Sequence, residues 1–467
     1  MNIYIHTEIS VRELDGNLLL ATLAAARGHD VIISDIAGIY SGLKKKLLAP
    51  GIFHTKSLSP NSGKINRHQK LIDNNFVITS IDQEASLQDD GYEEFALTRF
   101  SDQTIKQSSA IFGWGFDDVE KLKEKYLDHA SKIYMTGSPR ADLWKSNFSD
   151  YWVLPAAAPK KPFLLISSNM GVCHNKFFHE QVQFKKDSGI YQRDPRRFQL
   201  DFVKKADGYR VTHAFIEAIK HLSKNNNLYD IVLRPHPTES IECWQILLGK
   251  IPNVHIIKEG PISAWINNAF AVMHNGCTTA IETVVSQKPL ITYNPFDPPI
   301  AVGKLANKLG YEVKSLNKLT STVNLIFNKN HLSDQKNIQT KSLEIISKKI
   351  YFDADELAAY KIVKIWESLA KSKSNYSRLS NWTNFKWFLL IKDLRDIFGM
   401  VLKKLFPLKF KHFREDEKFS SPFNKDNIQS RINNLQTILG INEKLECKIL
   451  SKRTILIKQK AFFLKGL

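Results

Sequence analysis

Cysteine is scarce in this chain, with only Cys173, Cys243, Cys277 and Cys447 in 467 residues. Their separations match neither a paired zinc spacing nor a dense disulfide framework, so zinc is not expected and a reducing compartment is. Long apolar runs are missing too. No stretch of about eighteen apolar residues occurs, and Met1-Asn-Ile-Tyr-Ile-His6 lacks a basic segment followed by an apolar one. Neither a spanning helix nor a standard export signal is therefore expected. Acidic residues are fewer than basic ones, 47 against 66, for a formal net charge of +19. That excess implies anionic partners such as phosphorylated molecules, phospholipid or nucleic acid. Aromatic-studded platforms for single strands are not visible outside the last hundred residues, so no nucleic acid is expected. No convincing Ser–His–Asp arrangement stands out, and Asp89-Asp90 and Asp117-Asp118 lack the strand context of a metal-bound phosphate. Neither a metal ion nor a cofactor is expected.

The chain is long enough for two ordinary domains and an appendage, and its 43% hydrophobic content suits cores of normal size. Asn2-Ile-Tyr-Ile-His6 reads as a strand, Leu14 to Arg27 as a helix stopped by Gly28, and Asp30-Val-Ile-Ile-Ser34 as the next strand. Short runs at Phe76-Val-Ile-Thr79, Ala110-Ile-Phe112 and Lys132-Ile-Tyr-Met135 continue the alternation. The Pro- and Ala-rich stretch from Leu154 to Pro162 reads as a linker, and a second alternating series opens at Phe163-Leu-Leu-Ile-Ser167. The fold class is α/β: two facing Rossmann-like domains with a cleft between them, at 1–150 and 151–375, and a helical basic extension at 376–467.

Two motifs sit where apolar strands run out. Ile231-Val-Leu233 delivers Arg234 and His236 to the carboxyl edge of a parallel sheet, with Pro235 and Pro237 ending the strand and fixing the backbone around His236. Ala269-Phe-Ala-Val-Met273 leads through His274, Asn275 and Gly276 into a helix that starts at Thr278 and Thr279. Unpaired amides at such a start attract an anion. Glu282, one turn further in, is positioned to accept from ribose hydroxyls. Thr278 and Thr279 also suit ordinary helix caps, and Glu282 an exposed helix position. Both motifs in one α/β segment point to a nucleotide-linked donor.

Arg234-Pro-His-Pro237, His274-Asn-Gly-Cys-Thr-Thr-Ala-Ile-Glu282 and Lys288-Pro-Leu-Ile-Thr-Tyr-Asn-Pro295 together resemble the bacterial surface-carbohydrate (capsule and O-antigen) biosynthesis proteins. The blocks Glu8 to Asp15, Asp82-Gln-Glu84, Phe112-Gly-Trp-Gly115 and Thr136-Gly-Ser-Pro-Arg-Ala-Asp142 extend the resemblance over about residues 1–370. It implies a glycosyltransferase of the two-Rossmann GT-B architecture. More distantly, the His-Pro and Thr-Thr elements are similar to bacterial β-Kdo transferases, which implies a CMP-linked acidic sugar donor and a glycan or lipid-linked acceptor. The chain departs from the pattern at Asp82-Gln-Glu-Ala85, where Gln83 and Ala85 replace a Glu and a Gly.

Glycosyl transfer calls for a carboxylate as base or nucleophile. Glu8, Glu13 and Asp15 cluster after the first strand, and Asp82 and Glu84 follow another. Acids at a helix start also complement its dipole, so these five stay open as candidates. Arg140 lies in a turn where it suits an anionic donor or acceptor, and equally a surface ion pair. A CDP-linked polyol phosphotransferase and a noncatalytic nucleotide-sugar-binding scaffold also fit these residues. From Trp382 to Phe406, aromatic and aliphatic residues recur at helical spacing among Lys and Arg, and 381–414 carries eight basic against two acidic residues. Residues 382–414 are therefore expected to contact an anionic membrane surface, making the protein cytoplasmic and peripheral to the inner face. Packing of that apolar face on the body is the alternative.

Overall fold

In the computed structural model, the described residues are 1–8, 10–83, 99–174, 178–187, 189–224, 226–297, 305–329, 332–353, 355–371, 380–405 and 422–460. They form two compact α/β units, one of residues 1–143 and 347–467, the other of residues 144–346. The first opens with β1 (Asn2–His6), α1 (Ser10–Ala26), β2 (Asp30–Ser34), α2 (Ile36–Lys44), β3 (Gly51–Thr55), β4 (Val77–Ile81), β5 (Ala110–Gly113) and β6 (Ile133–Met135). All six strands are parallel, in the order β2-β1-β3-β4-β5-β6. Their apolar runs are buried on both faces, the pattern of a parallel sheet covered by helices. Gly51 is required by close approach, since a Cβ there would stand 2.1 Å from the Asn2 carbonyl oxygen.

The second unit holds β7 (Phe163–Ser167), α3 (Arg197–Lys224), β8 (Asp230–Arg234), α4 (Ile241–Leu248), β9 (Val254–Ile256) and α5 (Ile262–Asn268). It continues through β10 (Ala271–His274), α6 (Thr279–Val285), β11 (Leu290–Tyr293) and β12 (Tyr311–Val313). Its sheet is parallel, in the order β12-β11-β10-β7-β8-β9. The chain runs outward from β7 to β9 and then returns to the other side of β7 with β10. A topological switch point therefore lies between β7 and β10, where α/β sheets place ligands.

From residue 347 the chain belongs to the first unit again. Beside the expected boundaries near 150 and 375, the compact units divide at 143/144 and 346/347, and α7 (Ala358–Lys371) packs on the first sheet. Its Trp366 is buried, donates from Nε1 to Thr79 Oγ1 at 3.0 Å, and meets the His54 ring edge-on at 5.1 Å. α8 (Trp382–Leu405) follows, with Phe385 and Leu389 buried among Tyr4, Ile32, Phe53 and Leu456. α9 (Lys425–Leu439) buries Ile428, Ile432 and Leu435. β13 (Leu445–Ser451) and β14 (Thr454–Gln459) form a hairpin whose β14 pairs antiparallel with β2. The expected appendage is thus built into the first unit, where its hairpin covers the edge that β2 would otherwise present.

Phe385→Ala is expected to cost about 3–5 kcal/mol, as for a fully buried aromatic. Trp387→Ala, two residues along on the exposed side of α8, should stay within about 0.5 kcal/mol of the parent. Urea unfolding of both variants measures this, and equal losses would mean that the burial of α8 is not as described.

Candidate functional site

In the first unit, the carboxyl ends of β1, β3, β4 and β5 gather charged groups at one sheet edge. Lys56 Nζ lies 2.5 Å from Glu8 and 3.7 Å from Glu13. Glu13 also accepts the Glu8 amide at 2.8 Å and pairs with Arg12 at 3.2 Å. Asp82 is gripped by two guanidinium nitrogens of Arg99, at 2.8 and 2.9 Å. Trp114 Nε1 donates to the Asp82 carbonyl at 2.8 Å. Arg140 donates to the Gln83 carbonyl at 3.1 Å and lies over the Trp114 ring at 5.6 Å. Arg140 therefore stands in the first unit beside Asp82, in a different unit from Arg234 and His236.

Lys64 extends the basic side of this edge, donating to the Ser57 and Ser59 hydroxyls at 2.7 Å each. Burial first, then Arg99, lowers its pKa to about 8. Asp118, which the sequence reading set aside, is buried behind Trp114 and raised to about 7 by desolvation.

Access separates the candidate carboxylates. The Glu8 side chain is 32% exposed, against 0% for Glu13 and 1% for Asp82. Asp15 turns away from the cluster and pairs with Arg431 of α9 at 2.8 Å, tying α1 to the carboxyl-terminal segment. Glu84 lies outside the described residues.

In the second unit, Arg234 reaches the end of β8 and holds backbone carbonyls, while its buried Nε has no partner among the described residues. Its guanidinium donates to the carbonyls of Ile257 at 3.0 Å, Glu259 at 2.7 Å and Gly260 at 2.8 Å, over the Trp265 ring. Burial lowers its pKa to about 10. The side chain expected to face a phosphate also closes the loop after β9, because buried carbonyls need donors.

His236 keeps a donor. Its Nδ1 accepts from the Thr238 amide at 3.2 Å, which puts the neutral ring's proton on Nε2. Burial lowers its pKa. Holding this loop is Glu239, which is buried and which the sequence reading passed over. Its carboxylate accepts from the His236 amide at 3.2 Å, the Met170 and Gly171 amides at 3.0 Å each, the Ser168 hydroxyl, and Trp244 Nε1 at 3.1 Å. One side chain thus joins the loops after β7 and β8 to α4. The sequence signal is an acid two residues after the second proline, Pro237-Thr-Glu239.

At the switch point, the Ser167 hydroxyl donates to Thr279 Oγ1 at 3.2 Å and lies 3.3 Å from Cys277 Sγ. Cys277 in turn donates to Thr279 at 3.0 Å. Gly276 adopts φ +66°, and its amide donates to Asn307 Oδ1 at 2.7 Å. Asn275 donates to the Tyr293 carbonyl at 2.9 Å, while its buried Oδ1 has no partner among the described residues. Thr278 is exposed and Thr279 buried. α6 has seven residues, and the Ala280 and Ile281 amides bond back to Cys277 and Thr278, so few first-turn donors point outward. Glu282 is buried and accepts from the Ser263 hydroxyl of α5.

His274 anchors the strand end. Thr292 donates to the Leu309 carbonyl at 2.7 Å and so accepts from His274 Nε2 at 2.9 Å, while Nδ1 faces the Cys277 amide at 3.4 Å. Burial pushes its pKa down to about 3.

No protein-family model and no curated protein matches the chain. Among solved structures it is similar to a glycosyltransferase from Rickettsia africae, at 12% identity and TM-score 0.43, covering 80% of this chain and 99% of that one. It is also similar to a UDP-GlcNAc 2-epimerase from Methanocaldococcus jannaschii in complex with UDP-GlcNAc and UDP, at 12% and 0.44, covering 79% and 100%. A third is the wall teichoic acid polymerase TagF, at 12% and 0.44, covering 80% and 89%. Among the described residues, no group of three or more His, Cys, Asp or Glu is arranged to hold a metal ion.

The burial of His274 carries a pH signature. Its folded pKa lies below the unfolded value of about 6.5, so the unfolded chain binds the extra proton first as pH falls. Its contribution is fully present above about pH 6.5 and is lost progressively toward pH 3. In urea titrations between pH 7 and 5, His274→Gln should flatten the fall in stability by up to about 1.4 kcal/mol per pH unit. An unchanged slope would mean that His274 is not buried neutral.

Proposed function

We propose that the chain is a glycosyltransferase of surface polysaccharide assembly that takes its sugar from a nucleotide-activated donor bound by the second unit. The observation that carries this reading is the convergence of the loops after β7, β8 and β10 on one carboxyl edge, around a switch point. His236 is held there with its neutral-ring proton on Nε2, and among the described residues Asn275 keeps an unpaired buried acceptor. The donor's phosphate accepts a hydrogen bond from His236 Nε2 and its ribose hydroxyls meet the polar groups around α6. A CMP-linked acidic sugar such as Kdo is the donor favoured by the Arg234-to-Pro237 and His274-to-Glu282 blocks, and the acceptor is a glycan or a lipid-linked glycan at the inner face of the cytoplasmic membrane.

Transfer needs a base or nucleophile. Glu8 has the most exposed side chain of the described candidate carboxylates, and Lys56 pairs with it at 2.5 Å. As base it takes the proton from the acceptor hydroxyl, whose oxygen bonds to the anomeric carbon as the sugar–phosphate bond breaks. His236 stabilises the charge that gathers on the leaving phosphate. Asp82, already neutralised by Arg99, serves to hold that arginine and the Trp114–Arg140 pair at the same edge.

Thermal shift with CMP, CDP, UDP and GDP tests the donor. CMP at about a hundred times its Kd should raise stability by about 2.7 kcal/mol, while a response to CDP alone would favour a polyol phosphotransferase. No response to any of the four would sink the donor reading. His236→Ala should weaken nucleotide binding by about 1.5–3 kcal/mol, measured by calorimetry on a variant that melts like the parent.

Glu8→Gln should lower turnover steeply while donor affinity stays unchanged, because a base acts in the transition state. Normal turnover in Glu8→Gln with loss in Glu84→Gln would move the catalytic role to Glu84.

A further inference from the structure

α8 presents two opposite faces, and only one is covered by the described residues. On the covered side, Phe385 and Leu389 are buried in the first unit's core, and Trp382 Nε1 donates to Asp30 at 2.6 Å. The packing is close enough that a Cβ on Gly42 of α2 would stand 2.4 Å from the Phe385 ring. Across the helix, Trp387, Ile391, Leu394, Phe398, Val401 and Leu405 are all exposed. Their spacing alternates four and three residues, so at 3.6 residues per turn they form one continuous stripe along the helix. An exposed apolar stripe of this length marks a contact surface rather than scattered surface residues.

The charges beside the stripe choose its occupant. Arg395 lies about a quarter-turn to one side of it, and Lys386 and Lys404 about a quarter-turn to the other, all three exposed. The helix's two acidic residues are drawn inward. Asp396 pairs with Lys392 at 3.0 Å, and Asp393 accepts the Lys452 amide at 3.0 Å. A second copy of this stripe would bring basic flanks against basic flanks, which disfavours self-pairing. No helix among the described residues is long and apolar enough to cross a membrane. An apolar stripe with basic flanks and inward-turned acids has the charge pattern of a helix lying in the surface of an anionic bilayer.

We propose that α8 docks the first unit onto an anionic lipid surface, with Trp387, Ile391, Leu394, Phe398, Val401 and Leu405 entering the apolar boundary and Lys386, Arg395 and Lys404 meeting lipid phosphates. The inference deepens the proposed function by assigning the surface that brings the enzyme to a lipid-linked acceptor, and it rests on that reading for the acceptor alone. The buried face keeps the helix fixed on the body, so binding orients the whole first unit rather than a loose tail.

The test uses the full chain with vesicles of phosphatidylcholine alone or mixed with phosphatidylglycerol, each at low and high salt. The parent should float with the mixed vesicles at low salt, fall away as salt rises, and ignore phosphatidylcholine. The combined change Lys386→Glu, Arg395→Glu and Lys404→Glu should weaken binding by about a hundredfold or more. The double change Trp387→Glu and Phe398→Glu should abolish it. All these positions are exposed, so melting temperatures should match the parent, and nucleotide thermal shifts on the same samples check the donor site independently. Vesicle binding that survives both variants, or a parent that never binds mixed vesicles, would overturn the proposal. So would a concentration-dependent dimer in sedimentation equilibrium that the Trp387 and Phe398 changes dissolve. Loss of the nucleotide response with vesicle binding intact would sink the donor reading and leave this proposal standing.

Discussion

A parallel strand covered on both faces can place a charged side chain at low cost only near its ends, and that constraint organises both units. Ile3 to Ile5, Ile52 and Phe53 in the first sheet and Ile231 to Leu233 in the second have no exposed surface. The chemistry is therefore pushed to the carboxyl edges, where successive strands deliver Glu8, Lys56, Asp82 and Trp114 in one unit and Ser167, His236 and Asn275 in the other. A sheet of this kind still has lateral edges, and an uncovered β2 would offer unpaired backbone groups. The β13–β14 hairpin removes that liability by pairing with β2.

Charges at those edges are mostly committed to one another. Asp82 faces Arg99, Glu13 faces Arg12 and Lys56, and the terminal nitrogens of Arg234 hold three carbonyls. A buried ionised group without partners is costly, so most such side chains become struts. Glu239 is the clearest case, since its carboxylate takes donors from two loops and a helix and thereby fixes where His236 stands. A group not consumed in this way, such as the Nε2 proton of His236, is then available to a ligand.

The carboxyl-terminal segment serves the fold and a surface with the same helix. Phe385 and Leu389 complete the core on one side of α8, and the hairpin and α9 extend the first unit around α1. The opposite side of α8 keeps its apolar stripe exposed between basic residues. Packing on the body and contact with a membrane entered the sequence reading as alternatives. A helix has room for both, since residues half a turn apart face opposite ways.

Local patterning was enough to read the alternation of strands and helices, the ends of β1, β2 and β7, the turn at Gly276, and the division into two α/β units. These depend on periodicity and on residues whose backbone preferences act within a few positions. The partners that decide roles lie far apart in sequence: Arg431 on Asp15, Arg99 on Asp82, Ile257 to Gly260 on Arg234, and Ser168 to Gly171 on Glu239. The same holds for the return of residues 347–371 to the first unit, because an amphipathic helix announces that it has an apolar face and not which sheet will cover it. The sequence by itself determined which side chains would arrive at a strand end. Only the tertiary structure decided which of them were already bound to a neighbour, because desolvation and pairing depend on what surrounds a group after the chain has closed around it.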